Sequence, residues 1–365
     1  MDKSNDSVIG QPVRRAVRLS DIARAAGVTS ATVSYALSGK DGVSTNTRDR
    51  IRSIAERLGY VANRQAAALR GQRSYILGVL VTNIKNPFFA DIVCGMEKAA
   101  AERLYRLMLC VTENDPADEA RHLKMLLEHR VDGLILVPVA SDPEGTYQNI
   151  KLLQTFQRRR VPILCIVDAV RDMETLRITT AVYEGTRLLV DHLTGLGHRD
   201  IAYFSQPFPR VLQCGRHAAY RDALARAGIP FRPELLIETG LTPEDAYART
   251  GQALEDGVSF TAAVYPNDYM AVGGLRKLRE QGLRVPQDVS VTGFDDVDWA
   301  RFCEVPLTTA RFPVRELGEM AVQKMLQCLE SESDASGRSP SCDIIVKPEL
   351  VVRESTGPAP VSAIR

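Results

Sequence analysis

The chain has 365 residues, of which 45% are hydrophobic and 25% charged, and its 46 basic and 45 acidic residues give a formal net charge of +1. This is the composition of a globular protein of roughly two or three domains, and it excludes an intrinsically disordered chain. No run approaches the roughly 20 apolar residues of a membrane-spanning helix. The first 15 residues are polar and contain no apolar signal segment, so a cytoplasmic protein is expected.

Charge is distributed unevenly along the chain. Residues 1–73 hold 13 basic and 6 acidic residues, a net charge of +7, whereas the remaining chain holds 33 basic and 39 acidic residues, a net charge of −6. A basic module is therefore followed by an acidic body. The difference in sign predicts an anionic polymer as the partner of the module.

The basic module begins with two predicted helices. Residues 19–38 read LSDIARAAGVTSATVSYALS. Ser20 is predicted to cap the first helix, Gly27 to end it, and Thr29 to cap a second helix that begins at Ser30. Two short helices joined by a turn that contains glycine form a helix-turn-helix motif.

A third amphipathic helix is predicted from Thr45 or Asn46 to Leu58, with Gly59 at its end. The pattern also fits a plain three-helix bundle. However, the outer face of the second helix, over residues 30–35, is rich in hydroxyl groups and has no acidic residue. A helix that reads the major groove needs such short polar groups, so the module is predicted to bind DNA.

The acidic body alternates apolar runs, about 30 residues apart, with helical stretches such as Pro87–Leu104 and Ala117–Glu128. Strands this apolar are typical of parallel sheets that are covered on both faces. The predicted strands are Ile76–Val81, Leu107–Val111, Leu134–Val139 and Ile163–Val167 in a first set, Ile201–Phe204, Leu235–Ile237, Ala262–Tyr265 and Val289–Thr292 in a second set, and Ile344–Val352 at the end. Two sets of βαβ units predict two similar subdomains.

The predicted fold is an N-terminal all-α helix-turn-helix domain plus an α/β effector domain of two doubly wound parallel-sheet subdomains. The predicted boundaries are a disordered tail over 1–16, the helix-turn-helix domain over 17–62, a hinge helix and linker over 63–73, an effector-binding and dimerisation domain over 74–355, and a tail over 356–365. Within the effector domain, the N-subdomain is predicted over about 74–167 and 297–327, and the C-subdomain over about 168–296 and 328–355.

Candidate ligand-binding residues follow from this architecture, because ligands of such sheets bind beyond the carboxyl ends of the strands. A charged Arg216 in a cleft needs an anionic or hydroxyl-rich partner, whereas Asp115, Asp268 and Asp295 could instead cap helices. The candidates are Asn83, Phe88, Asp115, Asp168, Arg216, Asn267, Asp268 and Asp295.

Motifs along nearly the whole chain resemble the LacI/GalR family of bacterial repressors. They are Leu19–Leu37, Val43-Ser44, Thr47-Arg48, Leu58-Gly59-Tyr60 and Asn63 in the module, and NPFF, ENDP, RVDGLILVP, EGTRLLVDHLTGLGHRDIAYF, NDYMAVGGL, GLRVPQDVSVTGFDD and PLTTARFPVRELG in the body. The resemblance implies a body like a type I periplasmic binding protein. It also implies that the effector cleft is lined by Phe88, Asp168, Arg210, Arg216 and Asp295.

For the module, the resemblance implies that the helix near Thr29 reads the major groove and that residues 63–70 form a hinge helix in the minor groove. Leu69 would then wedge between base steps. So short a helix is unstable alone, and we expect it to form only against DNA or a partner copy. The predicted DNA-binding residues are Leu19, Ser20, Thr29, Ser30, Ala31, Thr32, Ser34, Tyr35, Ser38, Tyr60, Asn63, Ala66, Leu69 and Arg70.

Several positions depart from the family pattern. Ala62 replaces the usual proline and Ala67 the usual arginine of the hinge, which predicts a weaker backbone contact there. In the cleft, Ala169 stands where many relatives have arginine, and Ala181-Val182 replaces an Asp-Asn pair. Because polar contacts are lost, three kinds of effector remain open: an acid clamped by two arginines, a neutral sugar, or another molecule.

The predicted function is that of a repressor, most simply of a catabolic operon. A sugar or sugar acid would control its affinity for near-palindromic double-stranded operator DNA in the bacterial nucleoid. A homodimer is expected, because the C-terminal residues lack the leucine heptads of a tetramerising coiled coil. The alternatives are a solute-binding protein, which lacks a basic module, and a sugar-handling α/β enzyme.

The enzyme alternative is disfavoured by the motifs. No GxSxG, P-loop, HExxH or GxGxxG sequence is present, and the five histidines and seven cysteines show no ligand spacing. We therefore expect no enzyme activity, no metal and no cofactor.

Overall fold

The structure is a computed structural model that describes residues 17–37, 41–60, 73–139, 147–166, 173, 175–205, 210–331 and 343–360. The chain divides into two compact units, Met1–Gln72 and Arg73–Arg365, called here the N-terminal unit and the C-terminal unit. Among the described residues, no helix is long and apolar enough to span a membrane.

The N-terminal unit contains the three predicted helices, α1 (Leu19–Ala26), α2 (Ser30–Leu37) and α3 (Thr45–Arg57). They pack around Ile22, Val33 and Ile51, which are fully buried. Gly27 ends α1 with a φ of 65°, a left-handed conformation that glycine adopts without strain. The helix-turn-helix prediction is therefore confirmed.

One predicted cap is wrong. Helix α1 begins before Ser20, because Arg18 occupies the capping position and its backbone amide donates a 2.9 Å hydrogen bond to the Asp21 carboxylate. The predicted cap of α2 is confirmed, since the hydroxyl of Thr29 accepts a 3.1 Å hydrogen bond from the amide of Thr32.

The C-terminal unit alternates strands and helices. In chain order these are β1 (Ile76–Val81), α4 (Pro87–Glu102), β2 (Arg106–Val111), α5 (Pro116–His129), β3 (Gly133–Leu136), α6 (Ile150–Arg158), β4 (Ile163–Ile166), β5 (Leu176–Thr180), α7 (Val182–Gly195), β6 (Ile201–Ser205), α8 (Arg210–Arg226), β7 (Leu236–Glu238), α9 (Pro243–Glu255), β8 (Ala262–Val264), α10 (Asp268–Glu280), β9 (Ser290–Thr292), α11 (Asp298–Phe302), β10 (Thr309–Arg311), α12 (Val314–Ser331), β11 (Asp343–Val346) and β12 (Glu349–Val351). A short 3-10 turn, Pro233–Leu235, precedes β7.

The strands form two parallel sheets, as predicted. The first has the order β11-β5-β4-β3-β1-β2 and the second the order β7-β6-β8-β9. Strands β10 and β12 make a small antiparallel pair. The first sheet and α12 define one lobe, and the second sheet defines the other.

The predicted subdomain boundaries need correction. Strand β5 has no counterpart among the predicted strands, and both β5 and β11 pair in the first sheet, with Ile344 beside Ile178. They were expected in the C-subdomain. Conversely, Ala300 and Leu307 belong to the core of the second lobe, although residues from 297 onward were expected in the N-subdomain. Side chains packed from distant parts of the chain decide both assignments.

The predicted last strand, Ile344–Val352, is in fact two strands. Strand β11 ends at Val346 and β12 begins at Glu349. Pro348 lies between them and has no amide hydrogen to continue a ladder. The chain thus leaves the first sheet here and pairs with β10.

The described chain passes between the lobes three times: after β5, after β10 and after β11. Around the second passage, the rings of Phe294 and Phe312 lie 5.5 Å apart. Helix α12 then packs very closely on α4. A Cβ on Gly95 would lie 2.0 Å from the carbonyl oxygen of Arg315, so only glycine fits at this point of contact.

Candidate functional site

The outer face of α2 is the candidate DNA-reading surface. Ser30 and Ala31 are exposed, Tyr35 is 48% exposed, and Thr32 and Ser34 are partly exposed. The helix carries no acidic residue in its first turn. Short hydroxyl-bearing side chains and an amphipathic tyrosine are thereby presented together on one surface, as base-edge contacts require.

The other predicted DNA-binding residues fall into three groups. Ser20 and Thr29 are exposed. Leu19 and Tyr60 pack against the core of the unit. The remaining predictions lie outside the described residues and are Ser38, Asn63, Ala66, Leu69 and Arg70.

A cavity of about 170 Å³ lies between the two lobes of the C-terminal unit. Its lining is mainly apolar, with polar groups converging on it from both lobes, as is typical of small-molecule sites. The lining residues are Thr82, Asn83, Asn86, Phe88, Phe89, Asn114, Val137, Pro138, Ile166, Thr180, Val182, Arg216, Leu241, Pro266, Asn267, Phe294, Asp295 and Phe312.

The cavity brings together five of the predicted effector residues: Asn83, Phe88, Arg216, Asn267 and Asp295. It is not lined by Asp115 or Asp268. Asp168 and the side chain of Arg210 lie outside the described residues.

Asp115 is a helix cap. Its carboxylate accepts a 2.7 Å hydrogen bond from the amide of Ala117, in the first turn of α5. The preceding residue, Asn114, lines the cavity instead. The prediction that Asp115 faces the ligand is therefore wrong by one position, since its neighbour Asn114 lines the cavity.

Asp268 is fully buried and supports the site from behind. Its carboxylate accepts hydrogen bonds from the hydroxyl of Thr309, at 2.7 Å, and from the amide of Val297, at 3.0 Å. Burial raises the pKa of Asp268 to about 7. Its role is to hold the 293–297 loop, which carries Asp295, and not to line the cavity.

Asp295 is the acidic group of the lining. It is 7% exposed and has a φ of 103°, an uncommon conformation that the surrounding structure must maintain. Burial raises the pKa of Asp295 well above its ordinary value, and the charge of Asp268 raises it further, whereas Arg216 lowers it. Asp295 thus resists ionisation until a partner or solvent stabilises its charge.

Arg216 is the basic group of the lining among the described residues. Its guanidinium lies over the ring of Phe294, 3.9 Å from the centroid, and donates a 3.1 Å hydrogen bond to the carbonyl oxygen of Pro266. Within the described residues it forms no ion pair. It also forms a side-chain hydrogen bond with Tyr203. Because a guanidinium has five N–H donors, these two contacts leave donors for a ligand.

Three asparagines cap turns or helices at the rim of the cavity. Asn86 and Asn267 cap α4 and α10 through their side-chain oxygens, which accept from the amides two and three residues later. The oxygen of Asn83 likewise accepts from the amide of Lys85 at 2.8 Å. The N-termini of α4 and α10 therefore both lie at the cavity, where a helix dipole favours negative charge.

Some lining residues were not among the predictions. Two of them are threonines: Thr82 follows β1, and Thr180 is the last residue of β5. Apolar side chains such as Val137 and Ile166 form the walls. Thr82 directly follows a predicted strand, which is the signal that could have identified it. Val182 is one of the apolar substitutions of the family pattern, and it does face the cavity. No group of three or more potential metal ligands occurs among the described side chains.

Two family models match the chain, one over each unit. The model of bacterial regulatory proteins of the lacI family covers residues 18–63, and that of the periplasmic binding protein-like domain covers residues 190–356. The HTH-type transcriptional repressor PurR of Haemophilus influenzae (strain PittEE) is 31% identical over 337 residues, which is 92% of this chain and 98% of PurR.

Solved structures match the same architecture. The lac repressor dimer bound to operator and the anti-inducer ONPF aligns with a TM-score of 0.79 and 29% identity, over 94% of this chain and 100% of the other. The regulator CelR in complex with cellobiose aligns with a TM-score of 0.68 and 27% identity, over 93% of this chain and 99% of the other.

The fold and the two sites define a ligand-responsive transcriptional regulator with a helix-turn-helix module. The chain belongs to the LacI family of bacterial regulatory proteins.

Proposed function

We propose that the protein is a repressor of a catabolic operon whose affinity for operator DNA is set by a small effector, a sugar or sugar acid. The observation that carries this proposal is the combination, in one chain, of an acid-free helix face in the N-terminal unit and a cavity between two lobes in the C-terminal unit. The compared relatives, a repressor bound to operator and a regulator bound to cellobiose, support it.

On DNA, two copies would place their α2 helices in successive major grooves of a near-palindromic site. Ser30, Thr32 and Tyr35 would contact base edges, and basic side chains would contact phosphates. Leu69, in the predicted hinge, would open a base step in the minor groove between the half-sites. Such a chain acts in the cytoplasm, where the nucleoid lies.

In the C-terminal unit, the effector would bind between the lobes and change their relative orientation. A coupling free energy of about 1–3 kcal/mol, equal for effector and DNA by linkage, would change operator affinity by roughly 5–150-fold. We propose that the site binds without catalysis. Among the described residues, its lining contains no serine, cysteine, histidine or lysine, and its one carboxyl group, that of Asp295, therefore has none of these residues beside it as a catalytic partner.

The test is selection of duplexes from a random-sequence pool by the full-length protein. We expect enrichment of a site with two inverted half-sites. Tyr35→Ala should weaken binding to the selected duplex by about tenfold, at the scale of one lost base contact. Tyr247→Ala, in α9 of the C-terminal unit, is the matched control and should bind normally. The selection is run both without ligand and with each ligand that raises the Tm of the protein. Failure to enrich any duplex under both conditions would exclude a sequence-specific regulator.

A further inference from the structure

The hydrogen-bonding groups of the cavity are mostly donors. The side-chain oxygens of Asn83, Asn86 and Asn267 already accept from backbone amides, at 2.8, 3.1 and 2.8 Å. Each oxygen has thus used one of its two lone pairs, whereas the structure shows no hydrogen bond from the NH₂ group of Asn83, Asn86 or Asn267 to a described residue, so two donors per side chain face a ligand. A ligand that carries several acceptors therefore matches these donors.

Arg216 adds charge to these donors. It lies beside Asn267, because its guanidinium binds the carbonyl oxygen of Pro266, the preceding residue. The ring of Phe294 covers one face of the guanidinium. Among the described residues, packing and not an ion pair with a carboxylate therefore holds the guanidinium in place. An arginine fixed in this way is preorganised for a planar or tetrahedral anion.

The acidic residue of the lining compensates for this charge only weakly. Asp295 is buried, and the charge of Asp268 opposes its ionisation, since two close carboxylates do not readily ionise together. The N-termini of α4 and α10 contribute further positive potential at the same place. The cavity therefore favours negative charge, although its walls are apolar and suit a small carbon skeleton.

We propose that the effector is a small hydroxylated anion whose acidic group, a carboxylate or a phosphate, binds the guanidinium of Arg216 and the side-chain NH₂ group of Asn267. This inference rests on the proposed function, because it assumes that the cavity is the effector site. Asp295 then accepts a hydrogen bond from a hydroxyl group of the ligand. The apolar walls, which include Val137 and Val182, pack on its carbon atoms.

The first experiment measures the Tm of the full-length protein with a matched panel. It contains aldohexoses, the corresponding aldonates and uronates, their 6-phosphates, and inorganic phosphate. We expect one or more acids or phosphates to raise the Tm while the neutral sugar of the same skeleton does not. Comparison of the aldonates and uronates with the 6-phosphates identifies whether the acidic group is a carboxylate or a phosphate. The inference is overturned if neutral sugars raise the Tm as much as their acids, or if no anion raises it.

The second experiment measures the affinity of variants for the anion found. Arg216→Gln should weaken binding by at least about tenfold, the scale of one charge-assisted hydrogen bond. Asn267→Asp retains an oxygen to cap α10 but replaces the donor by a negative charge, and should weaken binding as much. The matched control is Arg221→Gln, since Arg221 also lies on α8 over a ring, that of Phe231 at 5.0 Å, but outside the cavity.

Unliganded melting of each variant reports whether it folds. Unchanged anion affinity in both cavity variants would overturn the inference. Failure of the proposed function has a different signature: the protein binds the anion but selects no DNA, whether the anion is present or absent.

Discussion

The carboxylate of Asp132 binds Ser74 twice, accepting 2.8 Å hydrogen bonds from its backbone amide and from its hydroxyl. The other carboxylate oxygen accepts from the amide of Tyr75, also at 2.8 Å. Beside this contact, the guanidinium of Arg73 donates to the carbonyl oxygen of Leu329, near the end of α12. The first residues of the C-terminal unit are thus fixed to Asp132, which directly precedes β3, and to α12.

Asp132→Ala should lower the free energy of unfolding of the C-terminal unit by about 3 kcal/mol, because three hydrogen bonds to a charged acceptor are lost. Urea unfolding followed by the fluorescence of Trp299, the single tryptophan, measures this. Asp118→Asn is the control, since Asp118 pairs with Arg121 at the surface and such pairs contribute about 1 kcal/mol or less. Equal losses in the two variants would contradict the prediction.

The close packing of α4 on α12 predicts the effect of adding one methyl group. Gly95→Ala should lower the free energy of unfolding by at least about 2 kcal/mol, because the new Cβ would overlap the backbone of Arg315. Gly195→Ala is the matched helical control, since its Cβ would meet no atom within 4 Å. It should change stability by less than about 1 kcal/mol. A tolerated Gly95→Ala would show that the two helices can separate.

Buried Glu119 joins the chain on either side of residues 140–146. Its carboxylate accepts from the backbone amide of Val139 at 2.8 Å, from the hydroxyl of Tyr147 at 2.7 Å and from the side-chain NH₂ group of Asn149 at 2.6 Å. Burial raises the pKa of Glu119, and these three donors oppose the rise. Because Val137 and Pro138 line the cavity, the same carboxylate fixes one cavity wall.

Glu119→Gln should therefore lower the free energy of unfolding by about 2–4 kcal/mol, since it places an NH₂ group against donors in a buried site. Tyr147→Phe, which removes only one donor, should cost about 1 kcal/mol. Amide hydrogen exchange at Val139 should accelerate in Glu119→Gln and remain near the wild-type rate in Tyr147→Phe. Similar free energies of unfolding for the wild type, Glu119→Gln and Tyr147→Phe would refute the proposed role of Glu119.

His198 predicts how stability depends on pH. The residue is fully buried, and its ring nitrogens contact Thr261 and Ser290, each at 2.9 Å, and the carbonyl oxygen of Gly357 at 3.0 Å. Burial lowers the pKa of His198 below its ordinary 6.5, and the charge of His192 lowers it further, whereas the bond to Gly357 opposes the shift. Below pH 6.5, position 198 binds more protons in the unfolded chain than in the folded protein. The free energy of unfolding therefore falls as the pH falls.

The contribution of His198 is complete above pH 6.5 and is lost below it, by at most about 1.4 kcal/mol per pH unit. Urea unfolding from about pH 5 to about pH 8 should show a shallower dependence in His198→Gln than in the wild type. His129→Gln, on α5, serves as the control and should keep the wild-type slope. If His198→Gln keeps the wild-type dependence of the free energy of unfolding on pH, groups other than His198 cause that dependence.

The sequence predicted most strands of the two parallel sheets because strands covered on both faces are continuous apolar runs, as in Ile76–Val81. Strand β5 was missed because its sequence, LRITT, is not a continuous apolar run but alternates apolar and polar residues. The boundaries between the lobes depend on contacts between residues far apart in sequence, such as Ile178 and Ile344. Local patterns do not contain this information.

The site was predictable where geometry follows from topology. Asn83, Asn267 and Asp295 come just after strands, and all three line the cavity. The same rule included Asp268, whose neighbours in sequence do not show that it turns inward to Thr309. Sequence position selects the edge of a sheet, whereas packing decides which side chains face a ligand.

The three passages of the chain between the lobes also bear on how the protein is made. Strand β11 supplies an outer strand of the first sheet, and β12, which follows it, pairs with β10. A nascent chain emerging from the ribosome therefore lacks a strand of the first sheet until residues 343–346 have been synthesised. Both lobes should reach their native form together, near the end of translation, and neither should be obtainable as a contiguous fragment of the gene.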